Sequence, residues 1–131
     1  MNEGVMANNQ MLDQLHKNMI SQVQDYAIIL LDKQGKILSW NVGAEKINGY
    51  EALEIINENF KRLFLPQDIT AGLPDQLIDL AVTEGRSAHI GRRLRKDGSI
   101  YWGNTNITAL TDKEGNVIGF TKLTREVADQ E

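Results

Sequence analysis

Cysteine is absent from the 131 residues. That excludes disulfides, thiolate nucleophiles, Cys-based zinc sites and iron–sulfur clusters, and it is compatible with a reducing cytosol. Histidine is scarce, with only His16 and His89, and neither stands in the tight spacing with carboxylates that a metal site needs. There is no excess of basic charge. The net charge of −4 offers nucleic acid no phosphate-binding stripe. The single basic cluster, Arg92, Arg93, Arg95 and Lys96, reads as a solvated strand end and turn. No apolar run approaches the roughly 20 residues of a membrane span. The start, Met1-Asn2-Glu3-Gly4, lacks the charged-then-apolar pattern of a signal peptide. A soluble, cytoplasmic chain without direct membrane contact is expected, which is compatible with a membrane-anchored parent. Gly-x-Ser-x-Gly, Gly-x-x-x-x-Gly-Lys and Gly-x-Gly-x-x-Gly do not occur, so neither a nucleophile elbow nor a phosphate loop is encoded. With no catalytic motif, the chain is not expected to be an enzyme in its own right.

What remains is ordinary for one soluble domain: 41% hydrophobic and 24% charged residues in a length that supports a single moderate core. Residues 1–8 are polar and expected to fray. From 9 to 24, Leu12, Leu15, Met19 and Val23 recur at spacings of three and four, which predicts an amphipathic helix with a narrow apolar stripe. Two readings stand for that stripe: packing on its own domain, or pairing with a second copy.

The period then changes. Tyr26 to Leu31 is a continuous apolar run, Asp32-Lys33-Gln34-Gly35 a turn, and Lys36 to Trp40 a second strand, giving a hairpin. Asn41 can cap a short helix that Gly49 ends. A second short helix covers Glu51 to Ile56, and Phe60 to Phe64 forms at most a turn, stopped before Pro66. Pro74 opens a clear helix with Leu73, Leu77, Leu80, Ala81 and Glu84 on one face, and Gly85 stops it. Three strands follow, at about 87–94, 99–110 and 116–124. Their turns are Lys96-Asp97-Gly98 and Asp112-Lys113-Glu114-Gly115, the latter the same solution as residues 32–35. The expected architecture is α+β: five antiparallel strands, short helices on one face and a leading helix.

Several pieces in this order resemble the PAS family. They are Ile28-Ile29-Leu30-Leu31-Asp32 with Gly35, Ile37-Leu38-Ser39-Trp40-Asn41, Gly43-Ala44-Glu45, Gly49-Tyr50, and Glu54-Ile55-Ile56. Arg95-Lys96-Asp97-Gly98-Ser99, Gly119-Phe120 and Thr124-Arg125-Glu126-Val127 complete the set. The similarity covers residues 20–128, roughly, and is greatest to PAS modules of prokaryotic sensor histidine kinases and related signalling proteins. The resemblance implies a PAS domain over 25–126, behind the 9–24 helix, with 127–131 leading to an output domain. Two departures stand out. Asn57 occupies a position where the family usually has Gly, and Asn also tolerates a left-handed conformation. At the exit, the family's Asp-hydrophobic-Thr signal is Glu126-Val127-Ala128 here, with the acid one methylene longer and the hydroxyl lost.

The resemblance also bears on cofactors, of which none is expected. Covalent flavin photochemistry needs a cysteine, and no motif supports non-covalent flavin. Haem needs an axial ligand. His16 lies in the leading helix, His89 on a strand facing either way, and the helix around Leu77 and Leu80 offers no His. The family's usual site lies between the sheet and the short helices. Here it implies a lining of Ile29, Leu31, Leu38, Trp40, Ile47, Ile56, Phe60, Leu77, Leu80, Tyr101, Thr105 and Ile107. These residues either fill a solid core or line a cavity for a small apolar or aromatic ligand, oriented by Thr105 and Tyr101. On the other face, Trp102 wants cover, which Leu15, Met19 and Val23 of the leading helix, or a partner's helix, could supply. A homodimer is the expectation, with Leu12, Leu15, Met19, Val23, Trp102 and Glu126 in its dimer and signalling contacts. Three functions compete: a ligand-responsive sensory module, a filled-core interaction module, and a cofactor-loaded sensor.

Overall fold

The computed structural model describes residues 3–130, with side chains from residue 9. Helix α1 spans Glu3–Gln22, so it starts earlier than the expected residue 9. The expected frayed start, residues 1–8, falls in part on residues outside those described. Strand β1 (Ala27–Leu31) is followed by short helices α2 (Val42–Asn48), α3 (Ala52–Ile55) and α4 (Pro66–Thr70), with one 3-10 turn at Phe60–Leu63. Helix α5 (Leu73–Glu84) leads to β2 (Arg86–Leu94), β3 (Ile100–Thr111) and β4 (Val117–Val127). The four strands pair antiparallel in the order β1-β4-β3-β2.

The turns follow from local chemistry. Asp32 Oδ1 accepts from the backbone N–H of Gln34 at 2.9 Å and of Lys36 at 2.8 Å. Asp112 Oδ1 does the same for Glu114 at 3.0 Å and Asn116 at 2.9 Å. Gly35 and Gly115 both take φ of 86°, which a side chain would disfavour. Asn41 caps α2 by accepting from the Ala44 N–H at 2.9 Å, and Gly49 ends the helix in the left-handed conformation. Pro66, expected only to stop the preceding turn, starts α4 as well, because a first-turn proline loses no helical hydrogen bond.

The sheet has four strands rather than the expected five. The segment 36–40 makes only isolated bridges, Leu31 to Ile37 and Lys36 to Asn59. The Ile37 N–H donates to the Glu58 carbonyl, and the Asn57 N–H donates to the Ile37 carbonyl, both at 2.8 Å. Ile37 therefore spends both its backbone groups on the 57–59 loop, while the Leu38 N–H still donates to the Leu30 carbonyl at 2.7 Å. The free edge of β1 is completed in part by side chains: the Leu30 N–H donates to Ser39 Oγ at 3.1 Å and the Ile28 N–H to Asn41 Oδ1 at 2.9 Å. The Asn57 turn survives in left-handed form, with φ of 77°. Asn57→Gly is expected to change stability by less than about 1 kcal/mol, whereas Asn57→Val, β-branched at positive φ, is expected to lose about 1–3 kcal/mol. Urea denaturation of both variants checks this, and a harmless Val would remove the backbone argument.

The core lies between the inner face of the sheet and helices α2 to α5. Phe60 and Phe64 meet edge-to-face at 5.7 Å, and Ile29, Leu31, Ile37, Ile55 and Leu63 around them are fully buried. Helix α5 turns Pro74, Leu77 and Ala81 inward. Among the described residues no helix is long and apolar enough to cross a membrane.

Candidate functional site

The register of the sheet fixes which side chains share its inner face. Thr105 of β3 lies between Thr124 of β4 and His89 of β2, and Ile107 lies between Lys122 and Ser87. Arg93 pairs with Tyr101 further along the same two strands. The centre of this face is therefore polar, although apolar residues surround it. Arg93, Lys122, Thr105 and Thr124 are each at most 1% exposed.

These four side chains form one network. Arg93 donates to Thr105 Oγ1 from Nε at 3.3 Å and Nη2 at 3.2 Å. Thr105 and Thr124 share a hydroxyl bond of 3.0 Å, and Lys122 Nζ donates to Thr124 Oγ1 at 3.0 Å. Arg93 also reaches the Arg92 carbonyl and the Nδ1 atom of His89, each at 3.1 Å, and its guanidinium lies 4.7 Å from the centroid of the Phe64 ring. An arginine only donates, so His89 Nδ1 accepts and the neutral ring carries its proton on Nε2. Burial, reinforced by Arg93, lowers the His89 pKa from its usual value. Burial pushes the Lys122 ammonium down to about 7, and the charge of Arg93 adds to this. Arg93 is lowered by burial as well but remains a cation.

A second node joins this face to the end of β4. The buried Tyr101 hydroxyl donates to Asn48 Oδ1 at 2.7 Å, and Asn48 Nδ2 donates back to the Ala44 carbonyl of α2 at 3.2 Å. Burial raises the Tyr101 phenol well above its usual range. The Arg95 guanidinium lies 4.6 Å from the centroid of the Tyr101 ring. It donates to the Ile47 carbonyl at 2.8 Å and to both carboxylate oxygens of Glu126 at 3.2 and 3.4 Å. Glu126 thus connects the last strand to α2 and to the ring that borders the polar centre.

The residues expected to line the site divide. Ile29, Leu31, Ile47, Phe60, Leu77, Tyr101, Thr105 and Ile107 are buried in the core, with Trp40 and Ile56 half-buried against it. Leu38 and Leu80 are corrections, at 43% and 46% exposed. Ile37 and not Leu38 faces inward, because residues 36–40 leave the sheet after one bridge and the alternation assumed for a strand does not continue. Leu80 lies about a quarter-turn from the inward line through Leu77 and Ala81 at 3.6 residues per turn.

The basic cluster also needs correcting. Arg92 is exposed and stacks 5.9 Å from the centroid of the Trp102 ring, but Arg93 is fully buried. The Trp102 contact comes from Arg92, while Leu12, Leu15 and Met19 of α1 are at least half exposed and Val23 is half-buried. Arg93, Lys122, Thr124 and Asn48 were missed as site residues. Strand parity carries a signal for two of them, since Lys122 and Thr124 alternate with the inward Phe120. A cleft of about 430 Å³ between α1 and β1, lined by Ile20, Ile28, Leu30 and Trp40 among others, is open and largely apolar.

A family model described as the PAS fold matches residues 14–127. The chain is 39% identical over 119 residues to Two-component system protein A of Emericella nidulans, covering 91% of this chain but only 17% of that protein. Among solved structures it resembles a PAS domain from Colwellia psychrerythraea, with a TM-score of 0.81 and 25% identity over 88% of this chain and 97% of that one. It also resembles the PAS domain, in complex with ethanol, of a LuxR-family transcriptional regulator from Burkholderia thailandensis. There the TM-score is 0.73 with 15% identity, over 87% of this chain and 98% of that one. The four-stranded antiparallel sheet, the short helices gathered on one face and the match over residues 14–127 lead to one assignment: this chain belongs to the PAS family.

Proposed function

We propose that this PAS domain is the sensory module of a longer signalling protein. It binds a small molecule between the sheet and the short helices and passes a conformational shift to an output domain, a histidine kinase being the favoured one. The observation that carries this reading is the polar centre of the inner face. A core that serves packing alone places aliphatic side chains there, because burying polar and charged groups costs free energy that apolar ones do not. The route outward runs from Tyr101 to Arg95 and on to Glu126 at the end of β4. A ligand that favours one arrangement of Tyr101 shifts this junction by its differential affinity for the two states. The two-component relative supports a signalling setting.

The second reading is a filled-core dimerisation module. It draws on the apolar side of α1, where Met11, Leu12, Leu15 and Met19 are 50–62% exposed. A homodimer is compatible with both readings.

Native mass spectrometry of freshly purified protein separates them. The sensory reading predicts a mass above the 14.7 kDa chain, lost on denaturation. A bare chain mass in every preparation, with no small molecule that restores a heavier species, favours the filled-core module.

A further inference from the structure

We infer that the molecule held in this core is a small organic anion, a monocarboxylate with an apolar tail, and that Arg93 and Lys122 grip its carboxylate. The inference rests on the sensory reading above and specifies the chemical class of its ligand.

Among the described residues, two cations occupy the interior of this domain without a counter-ion. Arg93 and Lys122 are 0% and 1% exposed, and all their hydrogen-bond acceptors are neutral: two threonine hydroxyls, two carbonyls and an imidazole nitrogen. Ion pairs lie elsewhere, Arg95 with Glu126 and Lys96 with Glu54 among them. Asp68 of α4 acts on Arg93 and His89 through its field but is ion-paired with neither. Glu126 is committed to Arg95.

The two cations converge on one spot. Arg93 bonds Thr105, Lys122 bonds Thr124, and the two hydroxyls bond each other. A charge taken from water into such a place costs several kcal/mol unless an opposite charge meets it. An incoming carboxylate supplies that charge and matches the guanidinium's planar fork, while the lysine adds a point charge and the hydroxyls further donors.

The backbone is shaped around the arginine. Gly91 and Gly103 are cross-strand partners on the inner face. A Cβ on Gly91 would collide with the His89 ring and stand 3.1 Å from Arg93 Nη1, and one on Gly103 would stand 3.2 Å from Arg93 Cγ and 3.1 Å from Thr124 Cγ2. Because neither residue has a side chain, the arginine and the His89 ring bonded to it lie over these two positions. The surroundings also set the rest of the ligand. Phe64, Phe60 and Ile107 are buried around the centre, which suits an apolar or aromatic tail. The network reaches half-exposed His89 on the edge strand β2.

The test uses sodium benzoate as the probe, with benzamide as its neutral isostere and sodium chloride at equal ionic strength as the control. Thermal unfolding and isothermal titration calorimetry are the readouts, on the 131-residue chain, Lys122→Met and Thr105→Val. Benzoate should raise the unfolding midpoint saturably in the parent chain, benzamide should not, and Lys122→Met should bind benzoate at least about tenfold more weakly, the loss of one charge-assisted contact. Lys122→Met removes an unpaired charge, so it stays folded and the comparison holds. Thr105→Val tests whether the hydroxyl pair is part of the grip.

Equal shifts from benzoate and benzamide, or equal benzoate affinity in Lys122→Met, overturn the anion inference and leave the ligand-sensing reading standing. A neutral molecule found in the native mass does the same. No shift with benzoate, acetate or inorganic phosphate overturns the inference, and a bare native mass beside it removes the sensory reading too.

Discussion

Lys122→Met is expected to stabilise the ligand-free domain by about 2–4 kcal/mol at neutral pH, and to remove the rise in stability that the parent chain shows from about pH 7 to pH 10. The lysine is fully buried beside Arg93, so its charged form is disfavoured and its pKa falls to about 7. In the unfolded chain the same group keeps its proton to the ordinary lysine value of about 10.4. Between those values the unfolded state binds more protons than the folded one, so stability must rise with pH. The destabilisation is complete below pH 7 and is relieved as pH climbs toward about 10, at up to about 1.4 kcal/mol per pH unit. Above about pH 10 the trend turns. The Tyr101 phenol is held neutral in the fold but ionises when unfolded, so stability then falls with pH. Urea denaturation from pH 6 to 10, roughly, reads both proteins. A flat profile for the parent chain, with no gain from methionine, would show that the ammonium finds solvent or a counter-ion. A saturating anion should flatten the parent profile by holding Lys122 charged, which ties this experiment to the benzoate titration.

Asn41→Ala is expected to lose about 2–4 kcal/mol, more than the loss of a helix cap alone. One side chain here serves five backbone groups. Its Oδ1 accepts from Ala44 N and Ile28 N, both at 2.9 Å. Its Nδ2 donates to the carbonyls of Val23 and Tyr26 at 3.0 Å and of Ile20 at 3.3 Å. The cap of α2 contributes about 1 kcal/mol. The rest is the desolvation of part-buried groups left without partners. Asn41→Asp separates the halves: it keeps the acceptor but sets a carboxylate against three carbonyls, so it should recover nothing. If Asp restored full stability in a urea melt, the three donated bonds would be irrelevant. Because those bonds hold the end of α1 to the start of β1, the alanine variant should also speed amide exchange in the last turn of α1.

Features confined to a few neighbouring residues are legible in the sequence itself. The Asp-x-x-Gly turns at 32–35 and 112–115, the Asn41 cap, Gly49, Pro74 and Gly85, and the left-handed Asn57 each depend on one side chain bonding nearby backbone or on φ alone. The inward-facing Ile29, Leu31, Tyr101, Thr105 and Ile107 are legible through alternation, which holds wherever a strand is continuous. The order of these elements is enough to point to the family.

Other features are decided by partners distant in sequence. Residues 36–40 have the composition of a strand, yet the 57–59 loop takes both backbone hydrogen bonds of Ile37, and that interrupts the pairing with β1 that a fifth strand needs; Ile37 faces inward in place of Leu38. Arg93 stands in a run of basic residues that composition assigns to solvent. It is buried because Gly91 and Gly103, Thr105 and the Phe64 ring make a place for it. Lys122 is one position from an exposed Leu123 and differs only in which face of β4 it occupies. A sequence states which side chains are charged. Whether a charge meets water, an acid or another cation depends on which strands lie side by side, and pairing is a property of the whole sheet.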